Sequence, residues 1–157
     1  MNITGSFRPV DLVVWSVAVI VLVAGLNQPA DAGPADDRKV LQDECGSCHL
    51  AYPTKFLSPT AWGQVLGHLD GHYGVDASLD GANLAAVARE LRVTGMQQPG
   101  TAALPRITRS DWFLDEHDDV RSDVWRRPAI KSAANCDACH QGAARGDFDE
   151  DSVRIPR

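Results

Sequence analysis

Cys45-Gly46-Ser47-Cys48-His49 and Cys136-Asp137-Ala138-Cys139-His140 contain every cysteine in the chain. Each is a C-x-x-C-H run, the attachment pattern of a c-type haem. The spacing suits the chemistry. Two thiols so placed reach the two vinyl groups on one edge of a porphyrin and form thioethers, and the histidine that follows lies under the iron as its proximal ligand. A pair of disulfides would need only the cysteines, and an exported chain could hold them. A four-cysteine zinc site also uses C-x-x-C pairs, usually at closer spacing and with no need for histidine after each. Histidine in the same place twice favours haem. Cys45, Cys48, Cys136 and Cys139 are therefore the expected attachment residues, and His49 and His140 the expected proximal iron ligands.

Five histidines are present, so His68, His72 and His117 are left to supply the second axial ligands. Outside the N-terminal leader the only methionine is Met96, in a Gly/Pro-rich loop, so at most one iron could be His/Met ligated. Ser58-Pro59 is a helix start, with a capping serine and proline at the first helical position. It predicts a helix from about Pro59 to Asp70. If that helix continued, His68 and His72 would share a face. Gly67, Gly71 and Gly74 around them would let the backbone approach a flat macrocycle. His72 is the preferred ligand of the two, and His68 reads better as an exposed helix residue. His117 follows Ser110, a second capping candidate with acids in its first turn, and lies beside Trp112 and Phe113.

The remaining pattern is helical segments joined by Pro/Gly loops, with no period-two alternation that would mark a strand. It predicts a small all-α protein with extensive loops. A short helix should run into the first motif. A third helix should begin after Asp76, capped by Ser78, and carry an apolar stripe to Val93. Gly95 to Pro105 reads as a connector, and Ser132 as the cap of a helix bearing the second motif. Trp62, Trp112 and Trp125, with Phe56, Phe113 and Phe148, are the candidate aromatic core. Apart from the motif itself there is no convincing internal repeat.

The N-terminal segment is of another kind. Leu12 to Leu26 is apolar except at Ser16 and Gly25, Arg8 precedes it, and Ala30-Asp31-Ala32 follows as an A-x-A site. That order is a secretory signal peptide over residues 1–32, leaving 33–157 as the folded domain. The run falls short of the roughly 20 residues of a spanning helix; a retained leader would instead give membrane attachment. The formal net charge of −6 lacks the basic footprint of a nucleic-acid binder. The basic stretch with Arg121, Arg126, Arg127 and Lys131 reads as solvated surface or as partners for haem propionates.

The flanks of both motifs resemble the bacterial dihaem cytochrome c family. Glu44 to Pro53 is similar to its first haem site. Trp125-Arg126-Arg127-Pro128-Ala129, Ala133 to His140 and Gly146 to Asp151 are similar to its C-terminal signature, and Asp70-Gly71-His72-Tyr73 and Trp112-Phe113 with Glu116-His117 also match. The resemblance implies a mostly helical periplasmic electron carrier with two covalent bis-histidine haems, in which His72 and His117 stand where the family has its distal histidines. It also implies electrons drawn from a membrane b-type cytochrome and passed to a small oxygen-binding c-type cytochrome. Two nitrogen ligands per iron would leave no open position for substrate, so a carrier is expected and not an enzyme. The alternatives are the dihaem subunit of a periplasmic reductase, such as nitrate reductase, and a dihaem peroxidase, which is usually a much longer chain.

Overall fold

A computed structural model describes residues 33–96 and 103–157. The expected leader, and residues 97–102 of the connector, lie outside the described residues. The described part of the chain is all-α, with four α-helices and short 3-10 turns. No helix among the described residues is long and apolar enough to cross a membrane.

Helix α1 spans Pro34–Cys45 and runs into the first motif, with Pro34 in its first turn. Asp36 accepts a bond from the Gly33 N–H at 3.3 Å, closing its N-terminus. Helix α2 covers Pro59–Leu66, and the Ser58 hydroxyl caps it by accepting from the Ala61 N–H. The helix stops four residues short of the predicted Asp70. Gly67 forms the C-cap, and His68 leaves helical geometry at φ −141°, ψ 41° before a separate 3-10 turn over Leu69–Gly71. Two glycines within five residues make continued helix unfavourable, so His68 and His72 do not share a helical face.

Helix α3 spans Gly81–Glu90 and is capped by Asp80, whose carboxylate accepts from the Ala82 and Asn83 N–H groups at 2.9 and 3.0 Å. The expected cap, Ser78, instead belongs to a turn in which the Asp76 carboxylate accepts its N–H. After Leu91 the helix closes with Arg92 at φ 55°. The Arg92 N–H bonds to the Arg89 carbonyl and the Val93 N–H to that of Ala88, the paired arrangement that ends many helices in a left-handed residue. Helix α4 is a single short piece, Asp111–Asp115. Ser110 occupies its cap position, but its hydroxyl donates to the Ile107 carbonyl at 2.7 Å. The helix expected after Ser132 is absent; the second motif sits on a 3-10 turn, Cys136–Ala138, entered through Asn135.

The apolar cluster lies between α1, α2 and α3 and comprises Leu41, Trp62, Val65, Leu66, Val87 and Leu91. The Trp62 indole N–H is satisfied by the Thr54 carbonyl at 2.8 Å. An ion pair joins α1 to α3: exposed Arg89 grips both oxygens of buried Asp37, at 2.7 and 2.9 Å. Of the six aromatic residues expected in the core, Trp62, Phe56 and Phe113 are buried. Trp112, Trp125 and Phe148 line a cavity.

Leu91→Ala should destabilise the fold by about 2–5 kcal/mol, the usual cost of emptying a leucine site, measurable by denaturant titration. Hydrogen bonding to Arg89 lowers the Asp37 pKa from 3.8, against the opposing effect of burial. A depressed folded-state pKa stabilises above the unfolded value and is lost as pH falls through the folded one. Thermal melts should therefore show Asp37→Asn less stable than the parent at pH 7, with the difference fading as pH drops below 3.8.

Candidate haem-binding sites

The first motif is positioned by the end of α1. Gly46 caps that helix, its N–H bonded to the Gln42 carbonyl at 3.0 Å. A Cβ at position 46 would stand 2.2 Å from the same oxygen, which is why glycine follows the first cysteine. Ser47 donates to the Glu44 carbonyl at 3.1 Å, and Glu44 accepts from Asn83 of α3 at 2.6 Å. Beyond the turn, the His49 Nδ1 lies 2.7 Å from the Leu50 carbonyl. A donated Nδ1–H of this kind fixes the tautomer that leaves Nε2 free to ligate.

His72 reaches the same place from the far side of the chain. It follows the Leu69–Gly71 turn and bonds through its N–H to the Leu69 carbonyl. Tyr73 and Gly74 then reverse the chain, both with positive φ (49° and 103°). A tyrosine in that region is strained by roughly 1–2 kcal/mol. Its side chain is held from two directions, by a hydrogen bond from its hydroxyl to the Pro105 carbonyl and by the Arg106 guanidinium 4.5 Å above its ring. The result brings the His49 and His72 rings to 6.2 Å, 20° from parallel. His68 is not brought to this pair. Its ring lies over Gly71, where a Cβ would come within 2.7 Å of its Nε2, and its Nδ1 is 3.6 Å from Asp70. Gly71 thus makes room for an imidazole. Met96 is exposed.

The second motif has less regular surroundings. The His140 N–H bonds to the Cys136 carbonyl at 2.8 Å, and the C-terminal segment returns so that the Arg154 N–H meets the Cys139 carbonyl at 3.0 Å. Gly142 is required by Asp147, whose carboxylate lies 2.6 Å from where a Cβ would be. His117 lies just past α4, and its Nδ1 is 2.9 Å from the Phe113 carbonyl. The His117 and His140 rings are 6.1 Å apart at 74°. Cys136, Cys139, His117 and His140 all face one cavity of about 460 Å³, within the range of about 300–1,000 Å³ for cofactor sites. Its walls include Phe56, Trp112, Phe113, Trp125 and Phe148.

These residues fit a planar iron macrocycle at each site. A metal–imidazole bond is about 2.0–2.1 Å and the ring centre lies about 1.1 Å beyond the bound nitrogen, so two imidazoles on opposite faces of one metal stand about 6.3 Å apart. Both pairs have that spacing. In each pair one histidine has its Nδ1 at a carbonyl, whereas His72 Nδ1 and His140 Nδ1 are buried without a partner among the described residues. Burial is the main cause of a lowered pKa at His72, helped by His49, and at His140, helped by His117 and opposed by Asp147. Both shifts favour the neutral imidazole, the ligating form. None of the four cysteines is paired in a disulfide. Burial raises the thiol pKa at Cys45, at Cys139 and, up to about 11, at Cys136. These shifts favour the thiol over the thiolate that binds a bare ion, and among the described residues no cluster of three or more His, Cys, Asp or Glu could hold one.

Tyr52 joins the two sites, a role that its place in a family-like flank did not reveal. Its ring stacks on His49 at 4.9 Å and 23°, and its hydroxyl donates to the Ala134 carbonyl at 2.9 Å, two residues before the second motif. Burial, with the charges of Cys136, Tyr73 and Asp137, pushes its pKa up to about 12, so it remains a donor. The Trp112 indole N–H adds a second link, to the Phe56 carbonyl at 3.2 Å. An aromatic residue three positions after a proximal histidine was the available signal; its partner, distant in sequence, was not.

A model of the dihaem cytochrome c family matches residues 41–148. The crystal structure of a dihaem cytochrome c from Shewanella baltica OS155 is 33% identical, with a TM-score of 0.67, covering 76% of this chain and 94% of that one. Two structures from Rhodobacter sphaeroides are also similar. One is 35% identical with a TM-score of 0.55, covering 70% of this chain and 96% of that one. The other is 32% identical with a TM-score of 0.59, covering 70% and 95%. No curated protein matches the chain.

Tyr52→Phe keeps the ring on His49 but removes the bond to Ala134. It should cost about 0.5–1.5 kcal/mol and speed hydrogen exchange around residues 132–136 relative to the parent.

Proposed function

This chain belongs to the dihaem cytochrome c family and carries two covalent c-type haems for electron transfer, and we propose that each iron is held between two histidines, His49 with His72 and His117 with His140. The ring spacing near 6 Å at both motifs carries this reading. When bound, a c-type haem supplies a one-electron iron couple. The chain does the rest. Cys45 with Cys48, and Cys136 with Cys139, anchor the two macrocycles as thioethers. The Leu50 and Phe113 carbonyls hold the Nδ1–H of His49 and His117, which raises the basicity of the opposite nitrogen. The lowered pKa of His72 and His140 favours the neutral imidazole, the form that ligates.

Four imidazoles leave no coordination position for a substrate, which supports a carrier role. They also favour lower potentials than His/Met ligation, which raises them. The aromatic wall of the second site surrounds its haem with apolar surface, one of the means by which a protein tunes a cofactor's potential. The apolar run with its A-x-A site and the C-x-x-C-H chemistry support export and a periplasmic location. From the family resemblance we take the redox partners to be a membrane b-type cytochrome as donor and a small oxygen-binding c-type cytochrome as acceptor.

A haemochrome assay on protein matured in a host competent for cytochrome assembly should return two haems per chain, both low-spin. His72→Ala and His117→Ala should each turn one iron high-spin and leave the other low-spin. Two unchanged low-spin irons in either variant would defeat the ligand assignment.

A further inference from the structure

The two imidazole pairs are spaced alike but turned differently. His49 and His72 lie 20° from parallel, whereas His117 and His140 lie 74° apart. What turns His117 is Phe113. Its ring lies face to face with the imidazole at 4.1 Å and 18°, and its own carbonyl stands 2.9 Å from the His117 Nδ1. Trp125 covers another side, 5.8 Å away and inclined at 51°. Phe113 has little freedom of its own: it is 6% exposed and packed between Trp112 at 6.0 Å and Trp125 at 6.2 Å. His140 is oriented separately, by the Cys136–Ala138 turn and by the Phe148 ring at 5.3 Å and 52°. A ring fixed across its face and at one nitrogen cannot turn about its ligating axis without breaking one contact or the other.

We propose that Phe113 is a positioning residue that locks His117 across the plane of His140, so that the second site presents crossed imidazoles while the first presents near-parallel ones. The inference rests on the bis-histidine reading above and goes one step beyond it. An imidazole ligand raises the iron d orbital whose lobes stand perpendicular to the ring. Two parallel rings raise the same orbital and split the pair; two crossed rings raise both and leave them nearly equal. Low-spin ferric iron has one vacancy in that pair and is stabilised by the splitting. The crossed site forgoes this stabilisation, which biases it towards the reduced form relative to a parallel site in the same surroundings. Its orbital moment is also left less quenched. Identical ligands thereby give two electronically distinct irons in one chain.

The test is low-temperature electron paramagnetic resonance of the oxidised, fully loaded chain. Two low-spin signals of equal weight are expected, one an ordinary rhombic set and one a broad, strongly anisotropic line. His72→Ala should abolish the rhombic set and spare the broad line. Phe113→Leu, or Phe113→Met where the leucine variant does not accumulate, should convert the broad line into a second rhombic set, whereas Phe113→Tyr, which keeps the ring, should preserve it. Two rhombic sets in the parent protein would overturn the proposal. So would a broad line that persists without an aromatic ring at position 113 or that disappears with His72→Ala. Failure of the ligation reading looks different: a high-spin iron, or the charge-transfer band of methionine sulfur, in the parent protein.

Discussion

At each motif two imidazoles stand about 6 Å apart, and one of each pair has a buried ring nitrogen that meets no partner among the described residues. An unsatisfied buried polar atom costs about 1–3 kcal/mol, and here the cost is incurred twice. A metal between the rings would take the other nitrogen of each imidazole and hold the two rings at this spacing. The rest of the structure can be understood as the means of delivering four histidines to two points: helix α1 and the Leu69–Gly71 turn for one, helix α4 and the Cys136–Ala138 turn for the other.

The two deliveries are made in different ways. Around the first motif the chain packs on itself, with three helices closing on Val87 and Leu91 and an ion pair fixing α1 against α3. Around the second, the described chain has one five-residue α-helix and a series of short turns, and its aromatic residues face a cavity instead of one another. The same kinds of side chain therefore play two parts. Trp62 is core, because its indole N–H finds a carbonyl within its own half. Trp112 and Trp125 are cavity wall, and Trp112 spends its indole N–H on Phe56, across to the other half. Tyr52, Tyr73 and Trp112 supply hydrogen bonds by which the self-packed half holds the cavity-centred half in place.

Much of this was legible in the sequence. The motifs name six of the eight residues at the two centres without reference to any fold, and the all-α architecture follows from helical periodicity and the absence of alternation. Ser58-Pro59 marked a real helix start because serine and proline act locally. The failures were local choices settled by neighbours. Ser78 and Asp80 are both competent caps, and the carboxylate prevailed by taking two N–H groups where Ser78 was already engaged by Asp76. Gly67 ended a helix that Ser58 had begun well. Ser132 had no helix to cap, because the residues after it are shaped by the cavity and not by their own propensity. The pairing of His72 with His49 and of His117 with His140 could not be read from spacing at all, since it depends on where the Leu69–Gly71 and Cys136–Ala138 turns lie against α1 and α4.

The scarcity of helix in the C-terminal half bears on how the protein is made. Residues around a gap of about 460 Å³ have little reason to converge while the gap is empty, because apolar walls gain from burial only when something lies against them. The sulfurs of Cys136 and Cys139 line that gap and must be reached there when they are joined to a porphyrin. The N-terminal half has an apolar cluster of its own, whereas the walls of the C-terminal half face the space its cofactor fills. Closure upon that filling is what a covalent attachment reaction needs from its substrate.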